Sequence, residues 1–290
     1  MPELPEVEAL AAFLDGKLAG RTVAAATPVS FQAMKTYDPP LDAIEGLRFD
    51  GVGRRGKFLD LRLGGGELHL VIHLARAGWI RWKDELPTAP VRPGKGPLAL
   101  RLRLTEPDTA GFDVTEAGTQ KRLAISLVHD PADVPGVARL GIEPLSPEFT
   151  AEALRDLLRD ERRQIKGVLR DQGTIAGIGN AYSDEILHAA KMSPFKIAAK
   201  LTPDQVTDLH AIAVATLAEA VERSRGLPLT ELKSEKKSGL RVHGRTGEPC
   251  PVCGDTIREV SFSDSALQYC PTCQTGGKPL ADRRLSRLLK

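Results

Sequence analysis

All four cysteines of the chain fall within 24 residues, as Cys250, Cys253, Cys270 and Cys273. Their spacing, C-x2-C-x16-C-x2-C, lies in the range of a four-thiolate zinc site. Each C-x2-C pair makes a tight knuckle that turns two sulfurs toward one ion. Gly254, directly after Cys253, relieves the backbone at such a turn. Two disulfides in a secreted module would use the same number of cysteines. No signal-peptide pattern leads the chain and no other cysteine occurs, so zinc is the expectation. Four protein ligands leave no open position on the metal, which makes the ion structural. The expected complement is one structural Zn2+ per chain and no organic cofactor.

At 290 residues, 41% of them hydrophobic, the chain has room for about two domains with real cores. No apolar run approaches the ~20 residues of a membrane span, so no membrane partner and a cytoplasmic location are expected. Net charge is only +2 and says little about partners. Local basic clusters say more: Arg54, Arg55 and Lys57; Arg162, Arg163 and Lys166; Arg283, Arg284, Arg287 and Lys290. Any one of them reads as a solvated face. Three together, beside other nucleic-acid signals, point to a polyanion.

The amino end carries a second chemical signal. If Met1 is removed, which the small Pro2 favours, Pro2 presents a secondary amine. An α-amino group titrates near ~7.7–8.0 against ~10.4 for lysine, so part of it is unprotonated at neutral pH. Such an amine attacks an aldehydic carbon and forms an iminium without help. Glu3 beside it can give or take a proton. A processing signal with no chemistry is the plain alternative for Pro2.

Leu4, Val7, Leu10, Ala11, Leu14 and Leu18 follow a helical period, with Pro5 in the first turn. Pro2 and Glu3 therefore stand at a helix N-terminus, which favours negative charge. From about residue 22 to 130, short alternating or apolar segments (57–63, 67–73, 98–104) are separated by Gly and Pro breaks. This predicts a β-sandwich packed with the leading helix. Residues 132–148, with prolines at 135, 144 and 147, read as a linker. The pattern from 149 is helical, and Thr202, Pro203 and Gln205 predict an N-cap with proline at the first helical position. A polar stretch, 233–239, precedes the cysteine module. The division expected is 1–131, 132–148, 149–232 and 240–290. Gly177, Gly179 and Asn180 open an apolar helix near Ala181. Such a turn exposes backbone N–H groups to a phosphate, although a helix–helix corner uses the same residues.

Taken in order, Pro2 to Glu8, Arg54 to Lys57, Gly177 to Asn180 and the cysteine module resemble the formamidopyrimidine-DNA glycosylase/endonuclease VIII family over nearly the whole chain. The resemblance implies an α+β multidomain fold. Its parts are an N-terminal β-sandwich with a leading helix, a helix–two-turns–helix domain and a C-terminal zinc finger on a β-hairpin. It also implies base-excision repair of damaged double-stranded DNA by a bifunctional glycosylase and abasic-site lyase, acting as a monomer and associated with the nucleoid. The target nucleotide is flipped out, because a stacked base is out of reach. Pro2 would attack the sugar C1′ and Glu3 would manage protons around the opened sugar. Lys57 would assist β-elimination at the 3′ phosphate or serve as one more phosphate contact. Lys166 and Asn180 match phosphate-gripping positions, Arg55 belongs to the basic motif, and the four cysteines match the zinc ligands.

The chain departs from the family where bases are read. Ser265 stands where a zinc-finger arginine aids δ-elimination, with Asp264 beside it; a serine supplies no fixed cation. Arg258 or the tail arginines are candidates to compensate. Arg76 replaces a methionine wedge, and an arginine stacks on bases and also pairs with their edges or with phosphate. The family's arginine- and phenylalanine-bearing loop aligns with residues 116–122, where no phenylalanine occurs and Gln120, Lys121 and Arg122 face the task. The histidine expected near 93–97 is missing, and the segment between Gly226 and Leu240 is short for a loop that caps 8-oxoguanine. The expectation is retained Pro2 chemistry without preference for 8-oxoguanine. The alternative is a protein that binds damaged DNA or abasic sites and has lost base excision. A sequence-reading zinc-finger regulator would leave the terminal amine unexplained and lacks a recognition helix.

Overall fold

The computed structural model describes residues 1–87, 91, 96–105, 109–262 and 265–281. The chain forms two compact units, residues 1–139 with 224–232, and residues 140–223 with 233–290.

The first unit opens with α1 (Leu4–Leu18). Its periodic apolar residues, Leu4, Val7, Leu10, Ala11, Leu14 and Leu18, are all buried, and Glu3 and Glu6 close a reciprocal capping box at its start. There follow β1 (Val23–Pro28), β2 (Phe49–Arg55), β3 (Phe58–Leu63), β4 (Leu68–His73), β5 (Gly78–Lys83), β6 (Leu98–Leu104), β7 (Gly111–Glu116) and β8 (Ala124–Val128). They build two four-stranded antiparallel sheets, ordered β1-β6-β7-β5 and β2-β3-β4-β8. Alternation decides which side chains face inward. Leu59, Leu61 and Leu63 of one sheet and Leu100, Leu102 and Val114 of the other share one core with α1. Burying each such side chain stabilises by about 1.5–3 kcal/mol. Leu229 and Leu232, from the returning segment, join the same core.

The opposite face of β3 carries Phe58, Asp60 and Arg62. Asp60 is buried there and accepts from His69 Nδ1 at 2.7 Å and Arg55 Nε at 2.9 Å. In the stretch read as a linker, Pro135 starts a one-turn helix, α2 (Pro135–Ala138). Proline's preset φ suits the first helical position.

The second unit contains α3 (Ala151–Leu158), α4 (Ile165–Arg170), α5 (Asn180–Ala189), α6 (Pro203–Ser224), α7 (Leu232–Gly239), the hairpin β9 (Arg258–Ser261) and β10 (Ala266–Tyr269), and α8 (Pro271–Thr275). The cap expected before α6 is present: Gln205 N donates to Thr202 Oγ1, and Thr202 N donates back to Gln205 Oε1. The polar stretch 233–239 is helical, which the sequence pattern did not suggest. Arg223 Nε donates to Glu235 Oε1 at 2.8 Å, and the Lys236 ammonium sits 4.9 Å from the Tyr182 ring centre. Side-chain anchoring therefore supplies what the apolar pattern lacks. Among the described residues no helix is long and apolar enough to cross a membrane.

Candidate functional site

In the first unit the candidate chemistry gathers at the start of α1 and the β2–β3 turn. Pro2 and Glu3 are buried, with Glu3 only 2% exposed. Glu3 N donates to Glu6 Oε2 at 2.8 Å, so the backbone one residue past Pro2 is held. Arg54 links the helix to the turn: its Nε donates to Glu8 Oε2 at 2.7 Å and its Nη1 to the Gly56 carbonyl at 3.0 Å. Arg55 pairs with Phe58 across the hairpin, leaving Gly56 and Lys57 as a two-residue loop. Gly56, with φ 53°, takes the position that demands a left-handed backbone. Lys57 is 6% exposed. Its charge acts on His73, whose ring packs on Phe58 with 4.6 Å between centres. Burial first, and Lys57 second, push the His73 pKa down to about 4. His73 is therefore neutral at pH 7, and the cation there belongs to Lys57.

Arg55 is exposed and paired with Asp60, so it presents its charge from an oriented position. Arg76 is exposed in the β4–β5 turn. Gly78 closes that turn by donating to Leu74 O, and a Cβ at residue 78 would sit 2.2 Å from that oxygen. Gln120 is exposed in the β7–β8 loop. Lys121, half-buried, directs its ammonium to Glu116 O. The turn and the loop lie side by side, because Ala117 N donates to Ala77 O. Arg76 and Gln120 thus come from neighbouring loops of one unit.

In the second unit, Gly177 (φ 84°) turns the chain into α5. The Gln172 amide threads this turn, accepting from Gly177 N and donating to the Arg170 and Ile178 carbonyls. Asn180, first residue of α5, donates from Nδ2 to Ala266 O of β10 at 2.6 Å. Lys166 is 5% exposed, and its ammonium donates to Asn180 O, Ser183 Oγ and Asp184 Oδ1 at 3.1, 2.8 and 2.6 Å. All three ammonium hydrogens are thereby used inside the protein. Lys166 reaches a phosphate only by exchanging one of these bonds, and as found it holds the glycine-asparagine turn to α5.

The rest of α5 staples the cysteine module. Asp184 Oδ2 accepts from His243 Nδ1 and Gln268 N, and Glu185 accepts from the N–H groups of Arg241, Val242 and His243. Burial raises the Glu185 pKa, and those three bonds offset part of the rise. The sulfurs of Cys250, Cys253, Cys270 and Cys273 all lie within 4.8 Å of one another, with Cys250–Cys273 at 3.9 Å and Cys253–Cys270 at 3.4 Å. A tetrahedron with zinc–sulfur bonds of about 2.3 Å has edges of about 3.8 Å, so the four sulfurs fit one zinc ion. Gly254 has φ 77°, as the knuckle requires. His188 Nε2 lies 3.3 Å from Cys250 Sγ. Burial, then the charge of Arg241, lowers the His188 pKa.

His73, Gln172, Glu116 and His188 escaped the sequence reading. His73 and Glu116 carried a signal, their positions at the edges of the Arg76 turn and of the 116–122 loop. Ser265 sits at the β9–β10 turn, its carbonyl accepting from Phe262 N, and Arg258 is exposed on β9. Asp264, Arg92, Arg283, Arg284, Arg287 and Lys290 lie outside the described residues.

Three family models match the chain in order. They are the formamidopyrimidine-DNA glycosylase N-terminal domain over residues 1–118, the formamidopyrimidine-DNA glycosylase H2TH domain over 140–230, and the zinc finger found in FPG and IleRS over 247–276. A formamidopyrimidine-DNA glycosylase of Symbiobacterium thermophilum is 36% identical over 98% of this chain and 93% of its own length. An uncharacterized formamidopyrimidine-DNA glycosylase-like protein of Mycobacterium tuberculosis is 58% identical over 159 residues, 55% of this chain and 99% of that protein. Among solved structures, Lactococcus lactis formamidopyrimidine-DNA glycosylase bound non-covalently to DNA with an abasic site superposes with a TM-score of 0.82. It shares 26% identity and covers 94% of this chain and 99% of that one. The same Lactococcus enzyme has also been crystallised with DNA containing an oxidized pyrimidine.

Proposed function

Because the chain belongs to the formamidopyrimidine-DNA glycosylase family, we propose that it excises damaged bases from double-stranded DNA and cleaves the resulting abasic site through Pro2. The supporting observation is the junction of α1 with the β2–β3 turn, where Arg54 bonds both Glu8 and the Gly56 carbonyl next to Lys57. Met1 is 48% exposed, open to the aminopeptidase that would uncover the Pro2 amine.

In this reading the Pro2 nitrogen attacks C1′ of the flipped nucleotide, and the bond from C1′ to the base breaks. Ring opening then gives an iminium between Pro2 and C1′. Glu3 moves the proton on and off the sugar ring oxygen. Loss of a C2′ proton expels the 3′ phosphate, whose developing charge Lys57 stabilises. Arg55, Asn180 and Lys166 contribute phosphate contacts, Lys166 after exchanging an internal bond. The zinc ion shapes the hairpin and takes no part in bond breaking. We assign a monomer acting on the nucleoid in the cytoplasm, with β-elimination dominant because Ser265 supplies no cation for the second step. Polar Arg76, Gln120 and Lys121 in place of apolar wedges argue against preference for 8-oxoguanine.

Borohydride reduction on abasic-site DNA tests the chemistry. The protein with a clean Pro2 terminus should form a covalent complex, and Pro2→Gly or a residual extension should abolish it. Absence of trapping from the clean terminus favours a damage-binding protein without excision. Side-by-side cleavage of duplexes carrying 8-oxoguanine, an oxidised pyrimidine or an abasic site tests the selectivity. Efficient, selective release of 8-oxoguanine sinks that part.

A further inference from the structure

Glu116 is a buried carboxylate at the end of β7, and the chemistry just described does not use it. Its Oε1 accepts from two successive backbone N–H groups, Arg122 at 2.7 Å and Leu123 at 2.9 Å. One side chain thereby closes the loop between itself and β8. The loop is held twice more. Lys121 directs its ammonium back to Glu116 O, and Ala117 N donates to Ala77 O in the neighbouring turn. Gly118, with φ 91°, makes the bend between these ties. The product is a loop whose base is clamped and whose tip leaves Gln120 exposed beside the turn bearing exposed Arg76.

A loop of small and polar residues has no apolar anchor of its own, and ordering it costs about 1–2 kcal/mol per residue. Hydrogen bonds to an ionised acceptor are the strong kind, and here they fall on the two backbone groups that bracket the loop's return. We propose that Glu116 is a positioning residue for base recognition: it presets the Gln120 loop against the Arg76 turn so that the pair reads the strand opposite the lesion. A Gln120 amide donates and accepts, so the reader is a hydrogen-bonding one, suited to discriminating the edge of the orphaned base rather than wedging by bulk. A misplaced donor or acceptor against a base edge is strongly penalised once buried.

This rests on the proposed function, and the test separates the two. Wild type, Glu116→Gln, Glu116→Ala and Gln120→Ala are compared for borohydride trapping on single-stranded abasic DNA. They are also compared for kcat/KM on duplexes with each of the four bases opposite the same lesion. Amide hydrogen exchange is followed at Arg122 and Leu123. In Glu116→Ala, exchange at those two amides should accelerate. The spread of kcat/KM across opposite bases should shrink by about tenfold, of the order of one lost charge-assisted bond. Trapping on single-stranded DNA should stay within about twofold, since no opposite base is present to read. Gln120→Ala should lose the same discrimination without changing exchange at Leu123, and Glu116→Gln should keep part of it through its remaining carbonyl acceptor. Wild-type trapping with unchanged discrimination in Glu116→Ala, or unchanged exchange at Arg122 and Leu123, overturns the proposal. So does a wild type that trapped normally but showed no preference among opposite bases. Absence of trapping by wild type strikes instead at the lyase reading.

Discussion

The two units bury the same kinds of charged residue and employ them differently. In the first, Glu3, Glu6 and Lys57 are buried at the start of α1 and the β2–β3 turn, and His73 beside them is held neutral. In the second, Lys166, Asp184 and Glu185 are buried along α5, and their hydrogen bonds run to the glycine-asparagine turn and the cysteine module. A buried charge with a full set of partners is a structural fastening. Its removal strands the opposite charge. In the proposed chemistry, a buried charge such as Lys57 is a chemical tool, and its removal disables the reaction. Burial alone does not separate the two; what each group stands next to does.

Metal removal gives the largest expected separation. Binding of a structural zinc contributes on the order of 10 kcal/mol. A strong chelator, or Cys270→Ser, should therefore collapse the module around Val242, Cys250 and Ile257, while the melting transition of the first unit's core persists in calorimetry. The two buried lysines sharpen the contrast next. Lys166→Met should destabilise the second unit by about 3–5 kcal/mol, because Asp184 loses its cation. Lys57→Met should slow elimination by about 10²–10⁴-fold, the range for a lost proton-transfer or charge-stabilising group. Denaturant midpoints and single-turnover cleavage measure both. A Lys57→Met variant that eliminated at the wild-type rate would break the comparison.

A smaller effect concerns pH. The folded His73 pKa is depressed to about 4 from 6.5, so its native state favours the neutral ring. The stability tied to that state is fully present above pH 6.5. It is lost as pH falls from 6.5 toward 4, because the unfolded chain binds the proton first. Between pH 7 and 5 the loss is about 2 kcal/mol, and His73→Phe should flatten it in urea titrations at the two pH values. Arg76→Ala should give the smallest effect, since the residue is exposed. A few-fold loss of affinity for lesion duplex is expected, of the order of one exposed cation contact of about 0.5–1 kcal/mol, with fold stability unchanged by calorimetry.

Local spacing made much of this molecule legible. The heptad-like period of α1, the Thr202–Gln205 cap and the zinc spacing depend on residues a few positions apart, and each is realised. What stayed hidden depends on register and distance along the chain. Asp60 meets His69 only through the pairing of β3 with β4. His188 meets Cys250 across 62 positions. The helix over 232–239 escaped because its support is Arg223 and Tyr182 rather than an apolar stripe. Lys166 shows the limit in reverse: its motif position suggested a phosphate contact, and only the structure reveals three internal acceptors.

In the proposed chemistry, the reciprocal cap of Glu3 and Glu6 bears on rate as well as on helix stability. A chain terminus ordinarily sweeps many orientations, and an amine there meets a sugar carbon as one solute meets another. With the backbone pinned one residue away, that search is over before the nucleotide arrives. Well-oriented intramolecular partners reach effective molarities of about 10⁵–10⁸ M. Glu6, which touches no reacting atom in the proposed chemistry, is then a source of reaction rate through the orientational entropy it removes.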